Sequence, residues 1–289
     1  MTSISFYGSS SYSLIILKKL LTLSDFHLSP IITKEDKPFG RDKLITPNPV
    51  AAFAKDNNLP LLQISEFTPE VKEKLKKAAS QLALCVAFGP PFFDQETIDI
   101  YPQKIINIHP SDLPKYRGAT PGPWQIIKGE TTSKVSFFQI DTLPDHGPII
   151  KKLPLTISPS DTAHDFYLKA FNLAADNLDS ILKQYIKDPD SMLTPQDHSQ
   201  KTYFPKLDKD SALIDWSQNP DYLHRFILAL NPWPIAWTYV TNQKNETLKM
   251  KIFSSKLSDQ KITPDLVQIE GKNKVSWDQI KDHYQLKQP

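Results

Sequence analysis

The sequence predicts a doubly wound, mostly parallel α/β domain followed by a smaller region of short strands. Three observations predict it. Strand-like apolar runs alternate with segments of helical periodicity from residue 3 to residue 186. Residues 82–88, Leu-Ala-Leu-Cys-Val-Ala-Phe, form a continuous apolar run of the kind that a strand covered on both faces requires. Beyond residue 206 a single helical segment is followed by short β-prone stretches.

Taken in order, residues 3–7 read as a strand, Gly8 and the serines after it as a turn, and residues 14–21 as a helix. The turn has none of the further glycines that let a pyrophosphate approach the backbone, which excludes a dinucleotide-binding loop. A strand over 27–33 leads into a polar loop, 34–49, that carries Lys34, Lys37, Arg41 and Lys43 among prolines. Such a basic loop is either a solvated connection or an element that grips a ligand. A helix over 50–57, a short strand over 60–63 and a helix with a lysine-rich face over 69–80 precede the strand at 82–88, which Gly89-Pro-Pro ends in a stiff turn. Residues 105–109 form the next strand, stopped by Pro110, and a proline-initiated helix follows Gly118. Strands over 134–140 and 148–155 lead to an amphipathic helix over 160–186, opened by Ser160-Asp161 and burying Phe166, Leu168, Phe171, Leu178, Ile181 and Leu182. The polar, aperiodic stretch 188–205 reads as a linker between domains at 1–187 and 206–289. In the second domain Trp233 and Trp237 read as buried anchors in preference to base-stacking platforms.

Composition limits the function classes. A net charge of +2 over 289 residues gives no electrostatic case for nucleic acid by itself, and residues 206–289 carry 12 Lys or Arg against 10 Asp or Glu. The single cysteine, Cys85, lies inside the apolar run, so no disulfide framework exists and a buried structural thiol is expected. No stretch reaches the roughly 18 apolar residues that a bilayer span needs, and no signal-peptide pattern opens the chain, so a cytoplasmic protein with no membrane partner is expected. Arginine is scarce, with Arg41, Arg117 and Arg225 set against 31 lysines, which marks Arg41 and Arg117 as candidates for a planar bidentate donor, with surface positions of no consequence as the equal alternative.

The chemistry concentrates at Ile105-Ile-Asn-Ile-His109-Pro. In a strand, Asn107 and His109 project from the same face, and Pro110 places them at the strand tip, where open α/β sheets carry their sites. Asp145 lies in the Asp141-Thr-Leu-Pro-Asp145-His-Gly147 turn beyond the next strand. If the two strands are close in one sheet, its carboxylate approaches His109 and favours the charged imidazole. Taken alone, Asn-x-His at a strand end is more often a capping amide beside a satisfied histidine.

The run Asn107-Ile-His109-Pro-Ser111-Asp-Leu113-Pro114-Lys-Tyr-Arg117-Gly118, with Asp141-x-x-x-Asp145-x-Gly147 after it, resembles the signature of the folate-dependent formyltransferases. That superfamily includes enzymes acting on methionyl-tRNA, on glycinamide ribonucleotide and on nucleotide sugars, and hydrolases of formyltetrahydrofolate. The resemblance implies the formyltransferase fold with a small C-terminal OB-like β-barrel, which here looks shortened, as if a hairpin were missing between Phe253 and Leu266. It implies Asn107, His109 and Asp145 as the catalytic trio. It also implies folate contacts from Ser111, Asp112, Leu113 and Pro114, from Phe88 and Gly89, and from Asp141.

Within the superfamily, Asp36-Lys37-Pro-Phe-Gly-Arg41-Asp-Lys43-Leu-Ile-Thr-Pro-Asn-Pro49 is similar to the loop that the tRNA-directed enzymes push into the acceptor end of their substrate. The resemblance therefore implies Lys37, Arg41, Lys43 and Arg117 as tRNA contacts and initiator methionyl-tRNA as the acceptor. The co-substrate implied is 10-formyltetrahydrofolate, with no metal, and the enzyme is expected to act as a monomer. Pro121-Gly-Pro-Trp124, where the tRNA enzymes commonly show Pro-Ile-Gln-Arg, and a Trp-containing C-terminal segment keep a nucleotide-sugar N-formyltransferase as the alternative, while Pro110 is more typical of the purine enzyme. A hydrolase would use the same trio with water as acceptor, and a catalytically dead binding relative is disfavoured because all three positions are filled.

Overall fold

The computed structural model describes residues 1–39 and 44–286. The chain opens with β1 (Thr2–Gly8), α1 (Ser13–Leu21) and β2 (Phe26–Lys34). The basic loop then contains a short antiparallel pair, β3 (Lys37–Phe39) and β4 (Leu44–Thr46), in place of the fully irregular connection expected. Next come α2 (Pro49–Asp56), β5 (Leu61–Ile64), α3 (Pro69–Ala78), β6 (Leu82–Val86), α4 (Gln95–Asp99) and β7 (Ile105–His109). Then follow α5 (Pro121–Lys128), β8 (Thr132–Gln139), β9 (Ile149–Thr156), α6 (Ala163–Lys187) and α7 (Pro189–Met192).

These strands form one seven-stranded sheet in the order β5-β2-β1-β6-β7-β8-β9. Pairing is parallel from β5 through to β7, and β8 lies antiparallel to β7. The order runs outward from β1 through β2 to β5, then returns to β6 on the other side of β1. The direction in which strands are added across the sheet thus switches between β1 and β6, which run parallel, and the crevice beyond the C-terminal ends of these strands is where such sheets bind ligands. The registers Cys85↔Asn107 and Asn107↔Phe138 seat Asn107 between two interior strands.

The helices start where their side chains can satisfy orphan amides. Asn48 accepts from the amides of Val50 and Ala51 ahead of α2, and Thr68 accepts from Val71 ahead of α3; each is followed by proline at the first helical position. α6 is closed by a reciprocal box in which Asp165 N–H donates to Thr162 Oγ1 and Thr162 N–H to the Asp165 carboxylate. The start therefore falls after Thr162 and not at Ser160-Asp161, because Asp161 is committed to the Ser158 amide.

The chain divides into two compact units. The first comprises residues 1–118, 134–155 and 168–203, and the second residues 119–133, 156–167 and 204–289. Residues 188–203, read as linker from their composition, pack with the first unit, because backbone groups of Thr194 and Thr202 pair with Ile149, Pro114 and Arg117. The core of the first unit joins Tyr7, Ile32, Leu75, Cys85, Phe88 and Tyr101, all buried. Burial pushes the Cys85 thiol up to about 12, with the negative charge of Asp145 adding to the effect, which leaves an inert structural thiol.

In the second unit α5 packs on α8 (Pro220–Ala229), and the Arg225 guanidinium donates to the Ile127 carbonyl. Beyond α8 lie β10 (Ala236–Asn242), β11 (Thr247–Ile252), β12 (Ser255–Ser258), β13 (Lys261–Pro264), β14 (Leu266–Ile269), β15 (Lys274–Ser276) and β16 (Tyr284–Leu286). Five of them make an antiparallel half-barrel in the order β15-β14-β11-β10-β16. Between Phe253 and Leu266, where a hairpin looked absent, β12 and β13 do form one, but it pairs only with itself. Trp237 is half-buried, with its indole N–H donating to the Lys209 carbonyl, whereas Trp233 is 52% exposed and is no buried anchor. Its place between Pro232 and Pro234, past the end of α8, leaves no packed face for it.

At Gly147 the backbone forbids replacement, since a Cβ there would drive into the carbonyl of Gln139. Gly147→Ala should cost roughly 1–3 kcal/mol and lower the thermal unfolding midpoint by about 3–10 °C. An unchanged midpoint in a calorimetric scan would mean that this turn is not the tight one described.

Candidate active site

The site grows from the end of β7. Alternation along the strand turns Asn107 and His109 to one face, and Pro110 stops the ladder directly after them. Asn107 is half-buried, and its side-chain amide has no hydrogen-bond partner among the described residues. His109 is 5% exposed and is held from two sides. Its Nε2–H donates to the Tyr116 carbonyl at 3.0 Å, and its Nδ1 lies 3.6 Å from Asp145 Oδ1. Because a carbonyl only accepts, the contact with Tyr116 places the proton of the neutral ring on Nε2 and leaves a lone pair on Nδ1. That lone pair and the carboxylate are both acceptors, too far apart to bond each other and well spaced to share an N–H brought between them.

Asp145 sits at positive φ (51°), a conformation that a non-glycine residue keeps only when its surroundings hold it. Its Oδ2 accepts the Gly118 amide at 2.7 Å, and its main-chain carbonyl accepts from Gln196 Nε2 at 3.0 Å. One carboxylate oxygen is thereby fixed on the backbone while the other faces His109. Tyr116, the other holder of the ring, also has positive φ (58°), and its N–H donates to Thr202 Oγ1 at 2.8 Å.

The loop after His109 is built from within. Ser111 is fully buried, its hydroxyl donating to the Lys115 carbonyl, and Leu113 is fully buried beside Phe138 and Ile149. These two side chains, expected against the folate, instead brace the loop, and neither presents side-chain surface to a ligand. Asp112 and Pro114 are half-buried. Burial pushes the Asp112 carboxyl up, but Lys152 and Lys134 outweigh it and hold the group below the ordinary carboxylate range. Asp141, partly exposed, is engaged within its own turn: it accepts the Leu143 amide and the Nδ1–H of His146 at 2.6 Å.

At the end of β6, Phe88 is buried edge-on to Tyr7, Gly89 is exposed, and a side chain added at Gly89 would meet nothing within 4 Å. A flat group can therefore approach the backbone there. The Lys34 ammonium lies over the Phe88 ring at 4.2 Å; desolvation, followed by the charge of Lys37, lowers its titration to about 8.

Of the expected tRNA contacts, Lys37 is exposed on β3, while Arg41 and Lys43 lie outside the described residues. Arg117 corrects the sequence reading. It is 2% exposed and turned inward, with Nη2 donating to Gln196 Oε1 at 2.6 Å and to His198 Nδ1 at 2.8 Å, so it offers nothing to a phosphate on the surface. His198 stacks on His146 with ring centroids 4.0 Å apart; desolvation, and then the neighbouring His146 and Arg117, lower its affinity for a proton. Gln196, Thr202, His198 and the Tyr116 carbonyl escaped sequence reasoning. Their roles are main-chain and cross-segment contacts that leave no spacing pattern. Among the described residues no group of His, Cys, Asp and Glu is arranged to hold a metal ion, and no helix is long and apolar enough to cross a membrane.

Known proteins resemble this chain over most of its length. Residues 6–178 match the family model described as formyl transferase, and residues 206–272 match its C-terminal domain. The methionyl-tRNA formyltransferase of Acetivibrio thermocellus is 34% identical over 93% of this chain and 85% of its own length. That of Geobacter sulfurreducens is 32% identical over 85% of this chain and 76% of its own. Among solved structures, a methionyl-tRNA formyltransferase from Clostridium thermocellum superposes with a TM-score of 0.64 at 18% identity, covering 93% of this chain and 99% of that one. A sugar 3N-formyl transferase, WlaRD, solved in the presence of dTDP and 5-N-formyl-THF, superposes at 0.62 and 19% identity, covering 94% and 99%. At such identities the superpositions speak for the fold, and the sequence matches for the family: the chain belongs to the formyltransferases, among the methionyl-tRNA formyltransferases.

Proposed function

We propose that the protein transfers the formyl group of 10-formyltetrahydrofolate to the α-amino group of methionine carried on initiator tRNA, with Asn107, His109 and Asp145 at the reacting centre. One observation carries this reading. At a single strand end an amide with no partner among the described residues stands beside an imidazole whose Nδ1 faces a carboxylate 3.6 Å away. The folate supplies a formyl group carried on nitrogen. Asn107 can donate to the formyl oxygen and stabilise the negative charge that collects there as the amine attacks; one such donor contributes about 3 kcal/mol. His109 Nδ1 takes the proton that the amine loses and returns one to the departing folate nitrogen, so the site ends as it began. Asp145 attracts the amine N–H and balances the charge of the protonated ring. The exposed backbone at Gly89 and the half-buried Asp112 and Pro114 suit the approach of a flat ring system.

For the acceptor, the family match favours charged tRNA, held by the loop that carries Lys37, Arg41 and Lys43. Of the features that support the nucleotide-sugar alternative, Trp124 is already engaged within its own unit. It stacks on Phe204 at 5.0 Å, and its indole N–H donates to the Pro205 carbonyl. We place the reaction in the cytoplasm, carried out by a monomer without a metal.

His109→Ala or Asp145→Asn should lower turnover at least about a hundredfold with the circular dichroism spectrum unchanged; a variant that works at near-normal rate removes the mechanism. Arg41→Ala should raise the KM for methionyl-tRNA far more than that for the folate, and equal changes in both would deny the loop its part. Given 10-formyltetrahydrofolate and either methionyl-tRNA or an amino-sugar nucleotide, the protein should formylate only the tRNA-borne amine, and mass spectrometry of the products decides between the two acceptors.

A further inference from the structure

We infer that Gln196 is a positioning residue for Asp145, and that its place demands the chemistry of a side-chain amide. The inference rests on the assignment of Asp145 to the reacting centre. Gln196 is 7% exposed and bonded at both ends. Its Nε2 donates to the carbonyls of Asp145 at 3.0 Å and Gly147 at 2.7 Å, and its Oε1 accepts from Arg117 Nη2 at 2.6 Å. Two carbonyls only accept and a guanidinium only donates, so the side chain between them must donate twice at one end and accept at the other. An amide does this. A carboxylate of the same shape would satisfy Arg117 and set negative charge against two carbonyl oxygens, and an aliphatic chain would leave all three buried groups unpaired.

The consequence reaches the chemistry through Asp145. That residue keeps an unfavourable φ of 51°, and the turn holding it there is clamped on both sides of His146 by the one glutamine. Release of the clamp lets the backbone of Asp145 relax and moves Oδ1 relative to His109. Arg117 thus acts as the anchor that orients the glutamine, which accounts for a buried guanidinium whose partners are Gln196, His198 and Tyr203. The same stretch of chain holds the other side of the imidazole. Thr202 Oγ1 accepts the Tyr116 amide and the Thr202 carbonyl accepts the Arg117 amide, which steadies the carbonyl that receives His109 Nε2–H. Residues 194–203 therefore brace both contacts that hold the ring.

The test uses the full chain with 10-formyltetrahydrofolate and saturating methionyl-tRNA. Gln196→Leu and Gln196→Glu should each lower kcat by about 10–100-fold, the order expected for a small misplacement of a reacting group, with the KM for the folate changed by less than about twofold. Gln196→Glu is the deciding variant, because it matches the native shape and keeps a partner for Arg117 even where the leucine variant folds poorly. Added to Asp145→Asn, Gln196→Glu should cause no further loss, since the group it positions is already gone. A Gln196→Glu enzyme within about twofold of the parent in kcat, or a loss that multiplies in the Asp145→Asn background, overturns the inference. Failure of the underlying reading looks different: His109→Ala itself would retain turnover. An inactive His109→Ala beside a fully active Gln196→Glu overturns the positioning role alone.

Discussion

A single buried imidazole, donating to the main-chain carbonyl of Tyr116 and facing the carboxylate of Asp145, is the arrangement on which the rest of the first unit depends. Each of its holders sits on backbone that would not adopt its conformation unaided, for Tyr116 and Asp145 both have positive φ. Strain of this kind persists only where the surroundings over-determine it. Here they do: the Tyr116 amide is bonded to Thr202, the Asp145 carboxylate to the Gly118 amide, and the Asp145 carbonyl to Gln196. The ring's tautomer follows from its donor contact and its working nitrogen from its orientation, so the chemistry follows from main-chain geometry as much as from the three side chains.

The sheet explains why these parts meet. The switch in strand order between β1 and β6 opens a crevice at the C-terminal strand ends, and β7 delivers Asn107 and His109 to that edge. β8 runs antiparallel beside β7, with Ser136 opposite His109 and Gln139 opposite Ile106, so the Asp141–Gly147 turn leaves from the start of β7 and the carboxylate of Asp145 still comes to 3.6 Å from His109 Nδ1. No long-range accident is required, since two adjacent strands and the turn that follows them carry the trio. What the sheet does not supply is rigidity in the connecting loops. The segment 194–203, packed with the first unit, supplies that through one glutamine and one threonine.

Much of this was legible in the residues. The alternation of elements, the continuously apolar β6 and the strand end at Asn107-x-His109 follow from periodicity and from Pro110, whereas the approach of Asp145 is conditional on adjacent strands and implied by the family resemblance. The motif spacing carried the family. Less legible were contacts whose partners are far apart in sequence and whose chemistry is generic. Ser111 and Leu113 belong to the signature run, yet full burial makes them braces of the loop. Arg117, conspicuous because arginine is scarce, serves an inward network that composition cannot distinguish from a surface contact. Gln196 lies in a stretch whose polarity resembles a solvated linker, because hydrogen-bonded burial and exposure call for the same polar residues. The short β12–β13 hairpin shows a similar limit: length reported a shortened barrel correctly, but not that the remaining residues would pair among themselves.

The proton transfer turns on which nitrogen of the neutral His109 ring carries the proton. Nitrogen-15 NMR of the selectively labelled histidine, at a pH where the ring is neutral, reads this directly. The arrangement described predicts the proton on Nε2, bonded to the Tyr116 carbonyl, with Nδ1 at the chemical shift of an unprotonated nitrogen facing Asp145. A neutral ring protonated on Nδ1, with Nε2 bare, would contradict it and with it the assignment of Nδ1 as the nitrogen that receives the amine's proton.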